Sequence, residues 1–293
     1  MQPSQPSPPL WIVLAAAALL CVAAAAAALV GVAGLRLLAG GGDGRASLFN
    51  RFDVGVALAT RAVEERFTTG PAARVAVDLT VGSVEVTAGE TDAVAVEARV
   101  LAYGVTQRDA EEALRSVTFE AIQDGSTVTV RGGWPPQARW RGRSPSIEVR
   151  IVLPPNTSLD VAVDVGEVRI AGVQAEVAVE ADVGRVELTD VRPTQALRVR
   201  TNVAEIHWRG PLAAGASYTL TSNVGAIRMA LPADSTFTVD ASSNVGRVEI
   251  AFPLEGEVGA APVGGAVRGA VGSAPTATLT LRSDIGAITV RPE

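Results

Sequence analysis

The sequence predicts a mainly β chain: a β-solenoid of ~20-residue coils, with an N-terminal strand/helix capping segment and one N-terminal transmembrane helix. Three observations predict this. A seven-residue motif recurs six times from Asp164 onward. Apolar residues alternate with period two and slip by one residue inside each motif. A 26-residue run without charge, Leu10 to Leu35, precedes all of it.

The motif reads Asn/Asp, Val/Ile, Gly/Ala, any, Val/Ile, any, apolar. It begins at Asp164, Asp182, Asn202, Asn223, Asn244 and Asp284, and its third positions are Gly166, Gly184, Ala204, Gly225, Gly246 and Gly286. Their spacings are 18, 20, 21, 21 and 40 residues. The long last interval holds a Gly-rich insert, about 256–273, expected as a long loop or a degenerate coil. An earlier match, TVGSVEV, begins at Thr80.

The phase of the alternation locates the bends. Leu159, Val161, Val163 and Val165 share one parity, while Val168 and Ile170 have the other. The units at Val177–Leu188 and Leu197–Trp208 do the same. A one-residue slip keeps side chains inward after the strand changes direction. Glycine suits such a corner because it tolerates close backbone approach or positive φ. Asn or Asp two residues earlier is expected to hydrogen-bond the local backbone.

Coils stacked in chain order would place equivalent outward residues about 4.8 Å apart. One column then reads Glu167, Arg185, Glu205, Ala226, Arg247, and the next Arg169, Glu187, His207, Arg228, Glu249. Charge sign alternates from the first coil to the second in both columns. Opposite charges stabilise paired strands and like charges destabilise them.

Upstream, residues 73–153 read as an αβ capping segment. Strands are expected from Ala73, then a helix over TQRDAEEALRSV, 106–117, with acids early and Arg115 late as the macrodipole favours. Further strands follow at Thr127–Arg131 and Ile147–Leu153. Residues 39–72 form a linker or juxtamembrane segment, with a short helix expected within 47–68. Residues 1–9 are a tail, and 10–38 are the membrane helix, contacting lipid. A helical rise of ~1.5 Å per residue lets the run cross a ~30 Å hydrocarbon core. Trp11 marks one interface and Arg36 the other. A cleaved signal peptide would carry a basic start and a shorter apolar run.

Composition narrows the chemistry. The chain has 293 residues, 48% hydrophobic but only 4% aromatic, so Val and Ala carry the core. A net charge of -6 gives no general affinity for nucleic acid. Cys21, the single cysteine, lies in the apolar run, and His207 is the single histidine. That count opposes zinc hydrolase chemistry and leaves a Ser-His-Asp triad one available base. His207 is read as a solvated member of the charge ladder. Calcium would want several convergent oxygens, yet half of the Asp/Asn column is neutral Asn, so turn formation accounts for it better. No catalytic residue, cofactor or metal is assigned. The loop carrying Trp134, Arg139, Trp140, Arg141 and Arg143 is the candidate interaction site, suited to a protein or glycan partner.

The run VRIVLPPNTSLDVAVDVGEVRIAGV, followed by DVGRVEL, NVGAIRM, NVGRVEI and DIGAITV, resembles the bacterial DUF4097 β-strand-repeat family. Its members are labelled candidate adhesins, and the resemblance covers about residues 73–291. It implies a β-repeat fold and carries over no catalytic residue. The expected function is therefore a non-enzymatic, membrane-anchored interaction module, outside the cytoplasm. Arg36, Arg45 and Arg51 on the C-terminal flank argue for the opposite orientation. That orientation would make the chain a cytoplasmic, membrane-attached, polymerising scaffold of bactofilin-like type. A carbohydrate-active β-helix enzyme is a third reading. The coil ending at Ile288–Arg291 is expected to be an uncapped end, available for self-association.

Overall fold

Alternating Val-rich segments can bury one face only by pairing in register. In the computed structural model they do so in one 17-stranded mixed sheet. The structure describes residues 57–70, 73–135, 138, 144–260 and 264–293.

Its centre is a stack of bent, parallel strands. β2 (Arg74–Ala88), β7 (Ser158–Ala171), β8 (Val177–Thr189) and β9 (Ala196–Arg209) pair in that order. Each has two limbs, and inward residues change parity between them. In β7 these are Leu159, Val161 and Val163, then Val168 and Ile170, all buried. A short return segment closes each rung and buries Val173, Ala175 and Val191. Successive return segments also bond to each other: the Gln174 N–H donates to the Pro155 carbonyl at 2.7 Å and Arg192 N–H to that of Val173 at 2.8 Å. Each buried Val, Leu or Ile contributes roughly 1.5–3 kcal/mol of hydrophobic stabilisation. Trp208 and Tyr218, edge to face at 5.1 Å, fill the wider interior farther along.

The next rungs break at the corner into β10 (Ser217–Val224) with β11 (Ile227–Leu231), and β12 (Phe237–Val245) with β13 (Val248–Ile250). The last comprises β16 (Ala277–Ile285) and β17 (Ile288–Pro292). Here the expected chain order fails. β16–β17 lies between β10–β11 and β12–β13, parallel to both. Ile288–Arg291 is therefore an inner strand paired on both sides and not the uncapped end that its place in the sequence implies. The Gly-rich insert is neither loop nor coil. It forms β14 (Leu254–Ala260) and β15 (Gly265–Val271), an antiparallel hairpin whose β15 covers the free edge of β12.

At the other end the limbs of β2 diverge. Residues 74–79 pair with β5 (Thr127–Gly133), which pairs with β4 (Thr118–Asp124). Residues 82–88 pair with β6 (Ser146–Leu153), followed by β3 (Ala93–Gly104) and β1 (Ala57–Thr68). The helix expected near residues 47–68 is thus replaced, from Ala57 on, by a strand; its residues alternate exposure and gain a full partner in β3. Because β2 bonds β7 along both limbs, the repeat ladder runs across residue 154, and the TVGSVEV motif occupies a rung of it.

α1 (Gln107–Ser116) begins where predicted. The Thr106 hydroxyl accepts from the Asp109 N–H at 3.2 Å, and the Asp109 carboxylate accepts from the Thr106 N–H at 3.0 Å. This reciprocal cap contributes about 1 kcal/mol. Ala110 and Ala113 form its buried face, packed toward β3 and β1.

The corner glycines hold the stack at its closest approach. A Cβ on Gly184 would sit 1.7 Å from the Gly166 carbonyl oxygen, and one on Gly166 1.7 Å from that of Gly82. Gly184→Ala should lower stability by about 3 kcal/mol or more, read as a fall in the urea midpoint, since backbone and not a pliable side chain would have to move. Ala204→Gly, at the one rung already holding a Cβ, should cost no more than about 1 kcal/mol.

Candidate functional site

The corner column assembles several aligned sets of side chains along the stack. Outermost are Val81, Val165, Val183, Val203, Val224, Ile285 and Val245, each the register partner of the next. Val165 is 44% exposed and Val245 48%, so this position is not inward as its parity predicts. The slip occurs earlier, at the Asp/Asn residue, which drops out of the ladder: Val163 pairs with Ala181 and Val165 with Val183, with Asp164 unpaired between them.

The Asp/Asn side chains make a ladder of their own, from rung to rung. The Asn223 amide donates to the Asn202 carbonyl oxygen at 3.1 Å, and the Asn244 amide to the Asp284 carboxylate at 2.9 Å. Support for the corner backbone comes instead from the residue before them. Ser222 donates to the Ala204 carbonyl at 3.1 Å, Ser283 to that of Gly225 at 3.1 Å, and Ser243 to that of Gly286 at 2.8 Å. These hydroxyls are buried. The three rungs that carry them are the three that break into separate strands. β2, β7 and β8 place Leu79, Val163 and Ala181 there and run on unbroken. The signal was present in TSNVG, SSNVG and RSDIG, as a serine preceding Asx; the unbroken β9 has Thr201 there, bonded to the Ala204 carbonyl of its own rung.

Asp164 and Asp182 have no amide between them. Burial, then the charges of Asp182 and Asp78, push the Asp164 carboxyl above its ordinary range. Asp240 is the opposite case. A hydrogen bond from Arg282 and one from Arg268 outweigh its partial burial and hold it low, at 2.9 and 2.8 Å from the two guanidinium groups.

On the second limb the outward charges interlock. Arg169 meets Glu167 and Glu187, Arg185 lies 3.5 Å from Glu187 and 3.9 Å from Glu205, and Arg228 is 3.1 Å from Glu205. The predicted alternation thus holds from β7 to β8 in both columns and on to Glu205 of β9 in the first. Beyond it Ala287 and Thr289 of the inserted rung separate Ala226 from Arg247 and Arg228 from Glu249. His207 Nε2 lies 3.1 Å from the Glu205 carboxylate and 3.1 Å from an Arg228 nitrogen. One nitrogen cannot both donate to Glu205 and accept from Arg228, so the tautomer selects one partner. Burial raises the Glu205 pKa, but hydrogen bonds from His207 and Arg228 outweigh it and the net shift is downward. The nearby depression over Glu85, Arg169 and Glu187 has a volume of about 140 Å³, below the usual range of small-molecule sites.

Of the predicted interaction loop, Trp134 is half-buried and packs against the core. Arg139, Trp140, Arg141 and Arg143 lie outside the described residues, as does the 10–38 span. Among the described residues no helix is long and apolar enough to cross a membrane, and no three His, Cys, Asp or Glu side chains are grouped to hold a metal ion.

Residues 146–261 match the Toastrack DUF4097 family model. This bears out the resemblance read from the DVG and NVG motifs. A similar fold appears in a solved structure of a candidate cell adhesion protein from Clostridium sporogenes, with 13% identity and a TM-score of 0.50 over 80% of this chain and 100% of that one. That likeness concerns the fold. A candidate adhesin from Bacteroides fragilis aligns with 11% identity and a TM-score of 0.30 over 78% of this chain and 97% of its own. A candidate lipid binding protein from Parabacteroides distasonis gives 8% identity and 0.31 over 80% and 96%. The search of curated proteins found no match.

Two outcomes follow from the corner chemistry. A raised folded-state pKa means that the Asp164 charge opposes folding above that pKa, and the penalty fades as pH falls through it. Asp164→Asn should therefore stabilise the protein at pH 7, since like charges facing each other on paired strands are destabilising, with the gain shrinking under mild acid in a thermal melt series. Ser243→Ala should lose about 1 kcal/mol in urea unfolding, because the Gly286 carbonyl loses its hydroxyl partner.

Proposed function

We propose that this Toastrack chain is a non-enzymatic β-solenoid, held to a membrane through residues 10–38, and that it serves as an adhesin-like interaction module at the cell surface or in the envelope. The observation that carries this reading is the disposition of the charged side chains on the second limbs. Arg169, Arg185, Glu187, Glu205 and Arg228 are engaged with one another along the stack, on an outward face and not around a cleft. Such a ladder stiffens a surface and leaves no acid–base pair aimed at a substrate. His207 Nε2 faces both Glu205 and Arg228 in that ladder and bonds one of them according to its tautomer.

A rigid stack suits display. The loop from Trp134 through Arg139, Trp140, Arg141 and Arg143 is the region proposed to meet a protein or glycan, with Trp134 as its inward anchor. Indole and guanidinium groups together favour such partners. A second reading is favoured by Arg36, Arg45 and Arg51, whose position after the apolar run matches a cytoplasmic flank. The stack would then be a membrane-attached inner scaffold.

Protease shaving of intact cells carrying a C-terminal tag separates the two. Loss of the tag is expected from a surface module. A tag protected in intact cells and cleaved after lysis would overturn that placement in favour of the inner scaffold.

A further inference from the structure

The rung β16–β17 stands out of chain order. Only residues 232–236 separate β11 from β12, yet the two rungs that they join are not neighbours in the stack. Between them runs the segment 277–292, in parallel register with both: Leu220 with Leu281 and Ile227 with Ile288 on one side, Ala241 with Leu281 and Val248 with Ile288 on the other. The walls of this slot have strand partners other than the segment: β10 and β11 pair with β9, and β12 pairs with β15 across its other edge. An unfilled slot would leave two facing rows of backbone donors and acceptors without partners.

The slot also recognises its occupant through side chains. Ser283 donates to the Gly225 carbonyl on one wall, and Ser243 on the other wall donates to the Gly286 carbonyl of the segment. Asn244 donates to Asp284 at 2.9 Å, while Arg282 reaches both the Asp240 carboxylate at 2.9 Å and the Asp240 carbonyl at 2.7 Å. Leu279, Leu281, Ile288 and Val290 are fully buried. The tether from β15 into the segment, Gly272 to Thr276, is exposed at all five residues.

We propose that the slot between β10–β11 and β12–β13 accepts residues 277–292 from a second copy of this chain as well as from its own, so that copies join by rung exchange. Every contact named above is reproduced when the segment comes from another copy; only the path of the exposed tether changes. Exchange of an identical element adds no new interface chemistry, which makes it a low-cost route to association. This association uses an internal rung and does not depend on the side of the membrane or on the loop at Trp134.

Leu220 and Leu281 test it, because both are fully buried and face each other only across a filled slot. In the full-length chain with Cys21→Ser, Leu220→Cys and Leu281→Cys are made in separate copies and co-expressed. The expected result is a disulfide-linked species at twice the chain mass under non-reducing conditions, absent when either variant is expressed alone. A control chain carries both substitutions and should close the bond internally, since neighbouring-strand Cα distances fall within disulfide range. Ile227→Cys with Ile288→Cys provides a second pair on the other limb should the first be unable to close. Internal closure in the double variant, with the co-expressed single variants remaining monomeric, would overturn the proposal.

Discussion

Where every rung but that of Ala204 turns, the backbone of one rung approaches the carbonyl of its neighbour so closely that a side chain has no room between them. Gly82, Gly166 and Gly184 meet in succession in this way, as do Gly225, Gly286 and Gly246 farther along. Carbonyl and Cα in near contact can be reached in only one register, because a slip of one residue would bring a Cβ into the same space. The glycine column therefore aligns every other column. The buried hydroxyls, the Asp/Asn ladder, the exposed aliphatic ridge and the interlocked charges all inherit their alignment from it.

Alignment has costs as well as benefits. Stacking equal positions brings unlike charges together at Glu167 and Arg185, but it also brings Asp164 beside Asp182. The same column avoids that conflict farther along by setting amides beside the acid, as in Asn244 and Asp284. Apart from β9, where buried Thr201 bonds a carbonyl of its own unbroken strand, two kinds of corner result. In one, aliphatic residues such as Val163 and Ala181 line the inside of an unbroken strand. In the other, buried serines bond the neighbouring rung's carbonyl and the strand divides in two. The energetic logic is that of buried polar groups in general: a carbonyl turned away from the regular ladder needs another donor.

Much of this was legible in the sequence, for a local reason. Period-two alternation, a phase slip and a recurrent Asx-Val-Gly are properties of a few consecutive residues, and the helix cap at Thr106 and Asp109 is equally local. The order of the rungs was not legible. Ser243-Asn244-Val245-Gly246 and Ser283-Asp284-Ile285-Gly286 present the same chemistry to a neighbour, so either rung suits the edge of β10–β11. What selects between them is not local: the hairpin β14–β15 covers β12, and Arg282 binds Asp240 from the neighbouring rung. Val165 was misread for a related reason. Its parity matched Leu159 and Val163, but Asp164 leaves the ladder and turns the next side chain outward.

By itself, then, the sequence determined the repeat, the position of each bend to within two residues, most of the residues that line the interior and the opposed charges of the first two rungs of the motif, because each follows from spacing along the chain. Only the tertiary structure decided which rungs are neighbours, that residues 277–292 lie inside the stack, that β14 and β15 form a covering hairpin, and that the serines before Asn223, Asn244 and Asp284 support the corner. Those outcomes depend on pairing between segments tens of residues apart. Near-identical repeats offer several partners of similar energy, and the choice among them rests on contacts that no single repeat contains.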